Sequence, residues 1–87
     1  VTIDPARYIV KRNGEEISLP RKEFALLTLL MSDPGRLFSR EEIYSRVWGE
    51  DVVVGDRTID VHIRKLRQKI GDEHIITVKG VGYKYEK

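Results

Sequence analysis

Short strand-forming segments open the chain, and helical periodicity follows them. Residues 1–4, 7–12 and 15–19 have the brief apolar patterns of strands, and Asn13-Gly14 lies between the last two. This dipeptide suits a type I′ hairpin turn, because both of its residues then need a positive φ. The sequence therefore predicts a small antiparallel sheet at the start of the chain.

Two helices are predicted next. Residues 23–31 (EFALLTLLM) are apolar nearly all round, which is typical of a central, buried helix, and Asp33-Pro34-Gly35 ends it. Ser39 and Glu42 then have the spacing of a capping box, in which the serine hydroxyl accepts from the glutamate amide and the glutamate side chain reaches back. The second helix is expected to begin just after Ser39.

A third helix and a terminal hairpin complete the pattern. Residues 49–55 are predicted to form a loop, and residues 56–70 (DRTIDVHIRKLRQKI) a helix with Asp56 as its candidate N-cap. Residues 74–87 indicate a strand, a glycine turn and a second strand. The order of elements predicts an α+β domain with an N-terminal antiparallel sheet, three helices and a C-terminal β-hairpin.

The third helix has two different faces. Its aliphatic positions at i, i+4, i+7 and i+11 form one stripe that should face the core: Ile59, Ile63, Leu66 and Ile70. The opposite face is basic, yet it holds Val61, an aliphatic residue that gains nothing from water. Arginine, lysine and glutamine can pair with base edges in the DNA major groove, and an aliphatic group can contact a thymine methyl. The candidate base-reading residues are Val61, Arg64, Lys65 and Gln68. A solvated charged face with one exposed valine fits the pattern equally well.

The distribution of charge supports a polyanionic ligand. The chain has 87 residues, of which 40% are hydrophobic and 34% are charged, with a net charge of +2. Residues 1–55 hold eight basic and nine acidic side chains, whereas residues 56–87 hold eight and five. The positive charge is therefore local to the third helix and the hairpin, as expected for an electrostatic footprint.

Other classes of function find little support in the sequence. There is no cysteine, so thiolate metal sites and disulfides are excluded, and a reducing, cytoplasmic setting is expected. His62 and His74 have no second ligand at metal spacing, so we expect no metal, no cofactor and no catalytic residue. No apolar run approaches the ~20 residues of a membrane span. The narrow aliphatic stripe of the third helix, without aromatic residues, also argues against a membrane-surface helix.

Four stretches together resemble the OmpR/PhoB family of response-regulator DNA-binding domains: EFALLTLL, SREEIYSRVWG, DRTIDVHIRKLRQKIG and IITVKGVGYKY. The resemblance runs from about Ile17 to Tyr85. It implies one winged helix-turn-helix effector domain over residues 1–87, with a four-stranded N-terminal sheet. It also implies a bacterial two-component system, whose receiver domain, phosphorylated on aspartate by a sensor kinase, is absent from this chain.

The same resemblance implies sequence-specific binding of double-stranded DNA and control of transcription. The recognition helix, about residues 56–70, is expected in the major groove, and the hairpin wing, about 77–84, at the minor groove. Contacts to the DNA backbone are implied for Arg57, Thr58, His62, Arg64, Arg67, Thr77 and Tyr83. Val61 and Lys65 are implied to face base edges, and Lys79 to enter the minor groove. A segment that some members use to contact RNA polymerase corresponds to Trp48, Gly49, Glu50, Asp51, Val52, Val53 and Val54.

Two readings remain open beside these roles, and three positions depart from the family. The Trp48 ring and the His62 ring could instead belong to the edge of the core. Family members often have arginine at positions 65 and 79 and threonine at position 20, where this chain has Lys65, Lys79 and Pro20. Bidentate reading of bases is therefore expected to be weaker, and one half of the capping box of the first helix is lost.

The resemblance also implies partners. A second copy of the domain is expected on direct-repeat half-sites, because family members commonly bind head-to-tail. A winged-helix module that binds another protein without DNA specificity is the main alternative function. Binding of RNA is less favoured, because a protruding helix does not fit the narrow major groove of an RNA duplex.

Overall fold

The computed structural model describes residues 1–49 and 57–86, and the side chains of residues 57 and 58 are outside that description. The predicted N-cap Asp56 and most of the predicted polymerase-contact segment, residues 50–54, therefore lie outside the described residues. The elements in chain order are β1 (Thr2–Asp4), β2 (Ile9–Arg12), β3 (Glu15–Ser18), α1 (Arg21–Met31), β4 (Phe38–Ser39), α2 (Arg40–Val47), α3 (Arg57–Ile70), β5 (Ile75–Val78) and β6 (Gly82–Tyr85).

The N-terminal sheet is antiparallel, in the order β1-β2-β3. Asn13 and Gly14 have φ angles of 52° and 85°, which confirms the predicted type I′ turn between β2 and β3. The sheet has three strands among the described residues, so the expectation of four was wrong. Residues 5–8 form the turn that joins β1 to β2, and only Leu19 and Pro20 separate β3 from α1, which leaves no segment for another strand.

The C-terminal hairpin belongs to a second sheet, in the order β4-β6-β5. Strand β4 was not predicted from the sequence, and its two residues pair with β6 as Phe38↔Tyr83 and Ser39↔Gly82. A Cβ atom on Gly82 would lie 1.9 Å from the Phe38 carbonyl oxygen, so only glycine permits this approach. The β5–β6 hairpin, which we call the wing, is therefore joined to the strand that leads directly into α2.

All three helices and both sheets contribute residues to one core. The predicted stripe of α3 is buried, with between 0% and 2% of each residue exposed: Ile59, Ile63, Leu66 and Ile70. Leu26, Leu27 and Leu30 of α1 have no exposed surface, which confirms α1 as the central helix. Burial of these apolar side chains is the main source of stability and fixes which face of α3 remains outside.

Polar contacts from α1 hold both of the other helices. Pro20 is the N-cap of α1 and makes no side-chain cap hydrogen bond, as the departure from the family pattern predicts. Glu23 is nearly buried and pairs instead with Lys69 of α3, with 2.9 Å between Nζ and Oε1. Lys22 donates from Nζ to the Val47 carbonyl oxygen at the end of α2, at 3.0 Å. Helix α1 thus makes a polar contact with each of the other two helices.

Candidate nucleic-acid interface

Helical geometry divides the surface of α3 into an exposed face and two flanks. Asp60 and Arg67 lie on one side of the buried stripe, which we call the wing flank, and His62 and Lys69 lie on the other. Each flank contacts a different part of the molecule. The face between the flanks is the part of α3 that a large ligand can reach.

The exposed face carries the four candidate base-reading residues together: Val61, Arg64, Lys65 and Gln68. Val61 is 45% exposed, so it contributes to a surface and not to the core. Its neighbours supply hydrogen-bond donors, and Gln68 supplies an acceptor as well. The structure thus brings together an aliphatic contact and polar groups of the kind that distinguish base pairs in the major groove.

Arg67 joins α3 to the wing. Its Nε and Nη2 donate to the Ile75 carbonyl oxygen at 3.3 and 2.8 Å, and Nη2 also donates to the Thr77 hydroxyl at 2.7 Å. Both Arg67 and Thr77 were predicted to contact DNA phosphates, and the structure places them in contact with each other. Since the Thr77 hydroxyl accepts from Arg67, its own proton remains available to another acceptor, such as a phosphate. Their phosphate contacts stay predictions.

Tyr83 of β6 joins the wing to the other end of the wing flank. It is 4% exposed, and its hydroxyl donates to the Asp60 carboxylate. Burial, together with this hydrogen bond, raises the pKa of Tyr83 to about 12, so the hydroxyl is protonated at any ordinary pH. A hydroxyl proton that is donated to Asp60 cannot be donated to a phosphate at the same time. The predicted backbone contact of Tyr83 therefore requires its hydroxyl to leave Asp60.

Arg40, the first residue of α2, completes the contacts at this end of the wing flank. Its Nη2 lies 3.0 Å from Asp60 Oδ1, and its guanidinium carbon lies 5.8 Å from the centre of the Tyr83 ring. Sequence reasoning selected neither Arg40 nor Asp60. The available signal was a single acidic residue, Asp60, within an otherwise basic helix.

The opposite flank of α3 contacts α1 and the end of α2. The His62 ring is half-buried and meets Trp48 edge-on, with 5.1 Å between ring centres, and the Tyr44 ring lies 6.1 Å from that of Trp48. Trp48 is partly buried against the core, in agreement with the core reading of its ring. The phosphate contact expected of His62 stays a prediction, while Lys69 is engaged by Glu23.

The turn of the wing presents one cation and one exposed aliphatic residue. Lys79 is exposed, and Val81 is 46% exposed. The Val81 amide donates to the Val78 carbonyl at 2.9 Å, and Gly80 has a φ of 79°, so the turn between β5 and β6 is tight. Lys79 is thus exposed at the tight turn of the wing.

The structure gives less information on the remaining predicted site residues. Nothing is described for the side chains of Arg57 and Thr58, whose phosphate contacts stay predictions, or for Glu50, Asp51, Val52, Val53 and Val54. Gly49 has a φ of 85°, which suits the end of α2. Across residues 1–49 and 57–86, no group of three or more potential ligands could hold a metal ion. In the same residues, no helix is long and apolar enough to cross a membrane.

Comparison with known proteins gives a consistent result. Residues 14–85 match the family described as "Transcriptional regulatory protein, C terminal". The sensory transduction protein RegX3 of Mycolicibacterium smegmatis is 46% identical over 91 residues, covering 99% of this chain and 40% of that protein. The chain thus spans about two fifths of the length of this relative.

Solved structures of similar proteins have the same fold. The response regulator DrrB of Thermotoga maritima, described as an OmpR/PhoB homolog, superposes with a TM-score of 0.88 at 32% identity. The match covers 98% of this chain and 41% of that one. The DNA-binding domain of the response regulator AdeR, solved in complex with an intercistronic region, has a TM-score of 0.80 at 27% identity, covering 99% and 93% of the two chains.

Proposed function

Because the chain belongs to the OmpR/PhoB family of response-regulator DNA-binding domains, and so binds DNA and regulates transcription, we propose that it reads double-stranded DNA with α3 in the major groove and the wing at the adjacent minor groove. The matching family is described as a transcriptional regulatory protein, and no catalytic role is proposed for any residue.

One observation carries this proposal. Val61 is exposed at the centre of a face that otherwise holds Arg64, Lys65 and Gln68, directly opposite a fully buried stripe. A helix arranged in this way can enter a groove without exposing the core. We propose that Lys65 and Gln68 donate to base edges and that the Val61 methyl groups contact a thymine methyl. Arg64 lies beside them and can reach either a base edge or a phosphate.

Phosphate contacts position the helix without reading sequence. We assign such contacts to Arg57, Thr58 and His62 on the family pattern, and to Thr77 on its remaining hydroxyl proton. Lys79 is proposed to enter the minor groove from the turn of the wing. Because lysine lacks the planar fork of arginine, we expect Lys65 and Lys79 to discriminate less strongly among DNA sequences than arginine would at the same positions.

The activity of the whole protein is also a proposal, since the chain corresponds to two fifths of its curated relative. We propose that a receiver domain controls the effector domain and that two copies bind direct-repeat half-sites. The segment from Trp48 through residue 54 is proposed as a contact for RNA polymerase. With chromosomal DNA as its proposed ligand, the protein is proposed to act in the bacterial cytoplasm.

A titration with three ligands tests the proposal. The domain is mixed with duplex DNA, duplex RNA and an acidic protein at several salt concentrations. We expect binding to duplex DNA, with a logarithmic salt slope of about −0.9 for each phosphate that is neutralised. Binding to the acidic protein with no binding to duplex DNA would instead support the protein-interaction module.

A further inference from the structure

Helix α1 borders an open groove on the surface of the domain. The groove lies between the β1–β2 turn, α1 and the end of α2, and its volume is about 800 Å³. Its apolar lining residues are Pro5, Tyr8, Phe24, Ala25, Leu29 and Val47. We call this site the α1 groove.

Helical geometry places the α1 groove on the opposite side of α1 from α3. Glu23 lies on the side of α1 that faces α3, where it pairs with Lys69. Ala25 and Ser32 line the groove. Successive residues of an α-helix are rotated by about 100°, so both lie nearly opposite Glu23. A DNA duplex on the exposed face of α3 would therefore leave the groove open to a different molecule.

The side of α1 that lines the groove is effectively apolar over most of its length. Thr28 donates from Oγ1 to the Phe24 carbonyl oxygen at 2.8 Å, and Ser32 donates from Oγ to the Leu29 carbonyl oxygen at 2.6 Å. Both hydroxyl protons are thus used within α1, and neither residue donates to a ligand of the groove. Helix α1 has 11 residues and is about 16 Å long, which is enough to contact about three turns of a second helix.

Tyr8 forms one wall of the groove in an unfavourable backbone conformation. Its φ is 55°, in the left-handed region that a bulky residue rarely adopts. The Ala6 amide donates to the Asp4 carboxylate at 3.2 Å and holds the turn in place. Glycine would adopt this φ without strain, so tyrosine contributes here through its ring. Tyr8 is 48% exposed and meets Phe24 edge-on at 5.1 Å. A strained residue that holds an exposed ring over a groove is typical of a ligand-binding site.

One end of the groove is positively charged. Arg21 and Arg46 line it where α1 begins and α2 ends. Within residues 1–49 and 57–86, Arg21 makes no ion pair. Arg46 lies 3.5 Å from Glu42, but Glu42 is also 2.8 Å from Arg36, so the two arginines share one carboxylate. The charge at this end therefore favours an acidic ligand.

We propose that the α1 groove binds an amphipathic helix of a partner protein, with apolar side chains along α1 and carboxylates beside Arg21 and Arg46. Helices bound in apolar grooves are anchored by residues spaced at i, i+3 or i+4, and i+7, and a carboxylate matches the fork of a guanidinium. The groove and the exposed face of α3 lie on opposite sides of α1, so one domain binds the helix and DNA together. Only this simultaneous binding rests on the proposed function.

Selection from a library of helical peptides tests the chemistry of the partner. Displayed peptides about as long as α1, with randomised surface positions, are selected on the immobilised domain and counter-selected on Tyr8→Gly. This variant removes the ring together with the backbone strain, and thermal unfolding confirms that it is folded. We expect the enriched peptides to combine an apolar stripe with glutamate or aspartate. Enriched peptides without acidic residues, or no peptide that distinguishes the two proteins, would overturn the inference.

Two charge reversals then separate the groove from the DNA interface. Fluorescence anisotropy measures the affinity of a selected peptide and of duplex DNA for the wild type, Arg21→Glu and Lys65→Glu. Glutamate is favourable in the first turn of a helix, so Arg21→Glu should fold. We expect Arg21→Glu to weaken peptide binding about tenfold and DNA binding by no more than about twofold, and Lys65→Glu to do the reverse. Equal loss of peptide binding in both variants would refute the site, because general attraction to a basic protein would explain it.

A titration of the peptide into the domain saturated with duplex DNA tests simultaneous binding. We expect the same peptide affinity with and without the duplex, whereas competition between the two would contradict the placement of the groove. A wild type that binds the peptide but no duplex would refute the proposed function and not the groove. Sedimentation at high protein concentration tests a different occupant. Self-association that Arg21→Glu abolishes would show that a second copy fills the groove, and the proposed partner would then be wrong.

Discussion

Replacement of Gly82 by alanine should destabilise the domain by separating the wing from β4. The added Cβ would lie 1.9 Å from the Phe38 carbonyl oxygen, 2.9 Å from the Phe38 carbonyl carbon and 3.0 Å from Ser39 Cα. All three are backbone atoms of the strand paired with β6. They cannot move aside as a flexible side chain could, so the β4–β6 pairing must open.

The magnitude follows from the kind of contact. Overpacking of a well-packed site costs roughly 1–3 kcal/mol, and a clash with paired backbone belongs at the upper end, at about 3 kcal/mol. For a domain of this size, 1 kcal/mol corresponds to about 4–8 °C in Tm. Gly82→Ala should therefore lower the Tm by roughly 12–24 °C.

Gly80→Ala is the matched control in the same hairpin. Gly80 has a φ of +79°, and a Cβ there would meet nothing within 4 Å. Alanine at this position should therefore reduce stability only through the left-handed conformation, by about 1–2 kcal/mol. Thermal unfolding followed by circular dichroism compares the two variants. A Gly82→Ala variant that is as stable as Gly80→Ala would refute the reasoning, because the close approach to β4 would then not constrain position 82.

Three further predictions concern single side chains. Lys69→Ala leaves the Glu23 carboxylate nearly buried without its cation, and urea unfolding should show a loss of about 2–3 kcal/mol. The double variant Lys69→Ala/Glu23→Gln should recover part of that loss, and an equal loss would contradict the pairing. Because the pKa of Tyr83 is raised from 10.0 to about 12, its contribution to stability is full below pH 10 and declines between pH 10 and 12. Tyr83→Phe should make alkaline unfolding less steep, and an unchanged profile would contradict the assignment. Lys79→Arg should increase the preference for a narrow A·T-rich minor groove several-fold, and equal affinity for A-tract and mixed flanking sequences would count against the wing contact.

The parts of the fold that depend on local chemistry could be predicted from the sequence. The period of Ile59, Ile63 and Leu66 identified the buried side of α3, and the Asn13-Gly14 dipeptide identified a turn with two positive φ angles. Half of the predicted capping box is confirmed, since the Ser39 hydroxyl accepts from the Glu42 amide at 3.1 Å, while the Glu42 carboxylate accepts from Arg36 at 2.8 Å. In each case residues that are near in sequence determine the structure directly.

Features that depend on distant partners could not be predicted in this way. Strand β4 has two residues, too few for any period, and it exists because Gly82 permits the chain to approach. The pairing of Asp60 with Tyr83 joins residues 23 positions apart, and that of Glu23 with Lys69 joins residues 46 apart. No pattern in the sequence identified either pairing. Their partners follow from how the helices and the wing pack.

The base preference of Lys65→Ala tests the central claim most directly. Duplexes are selected from a random pool by the wild type and by the variant, and the affinity of each protein is then measured on the selected duplex and on random duplex. We predict that the wild type enriches a defined site and that the variant loses discrimination at one base pair, by about 1–3 kcal/mol, with a much smaller change on random duplex. Equal losses on both duplexes, with every base preference retained, would contradict the reading of sequence by the exposed face of α3.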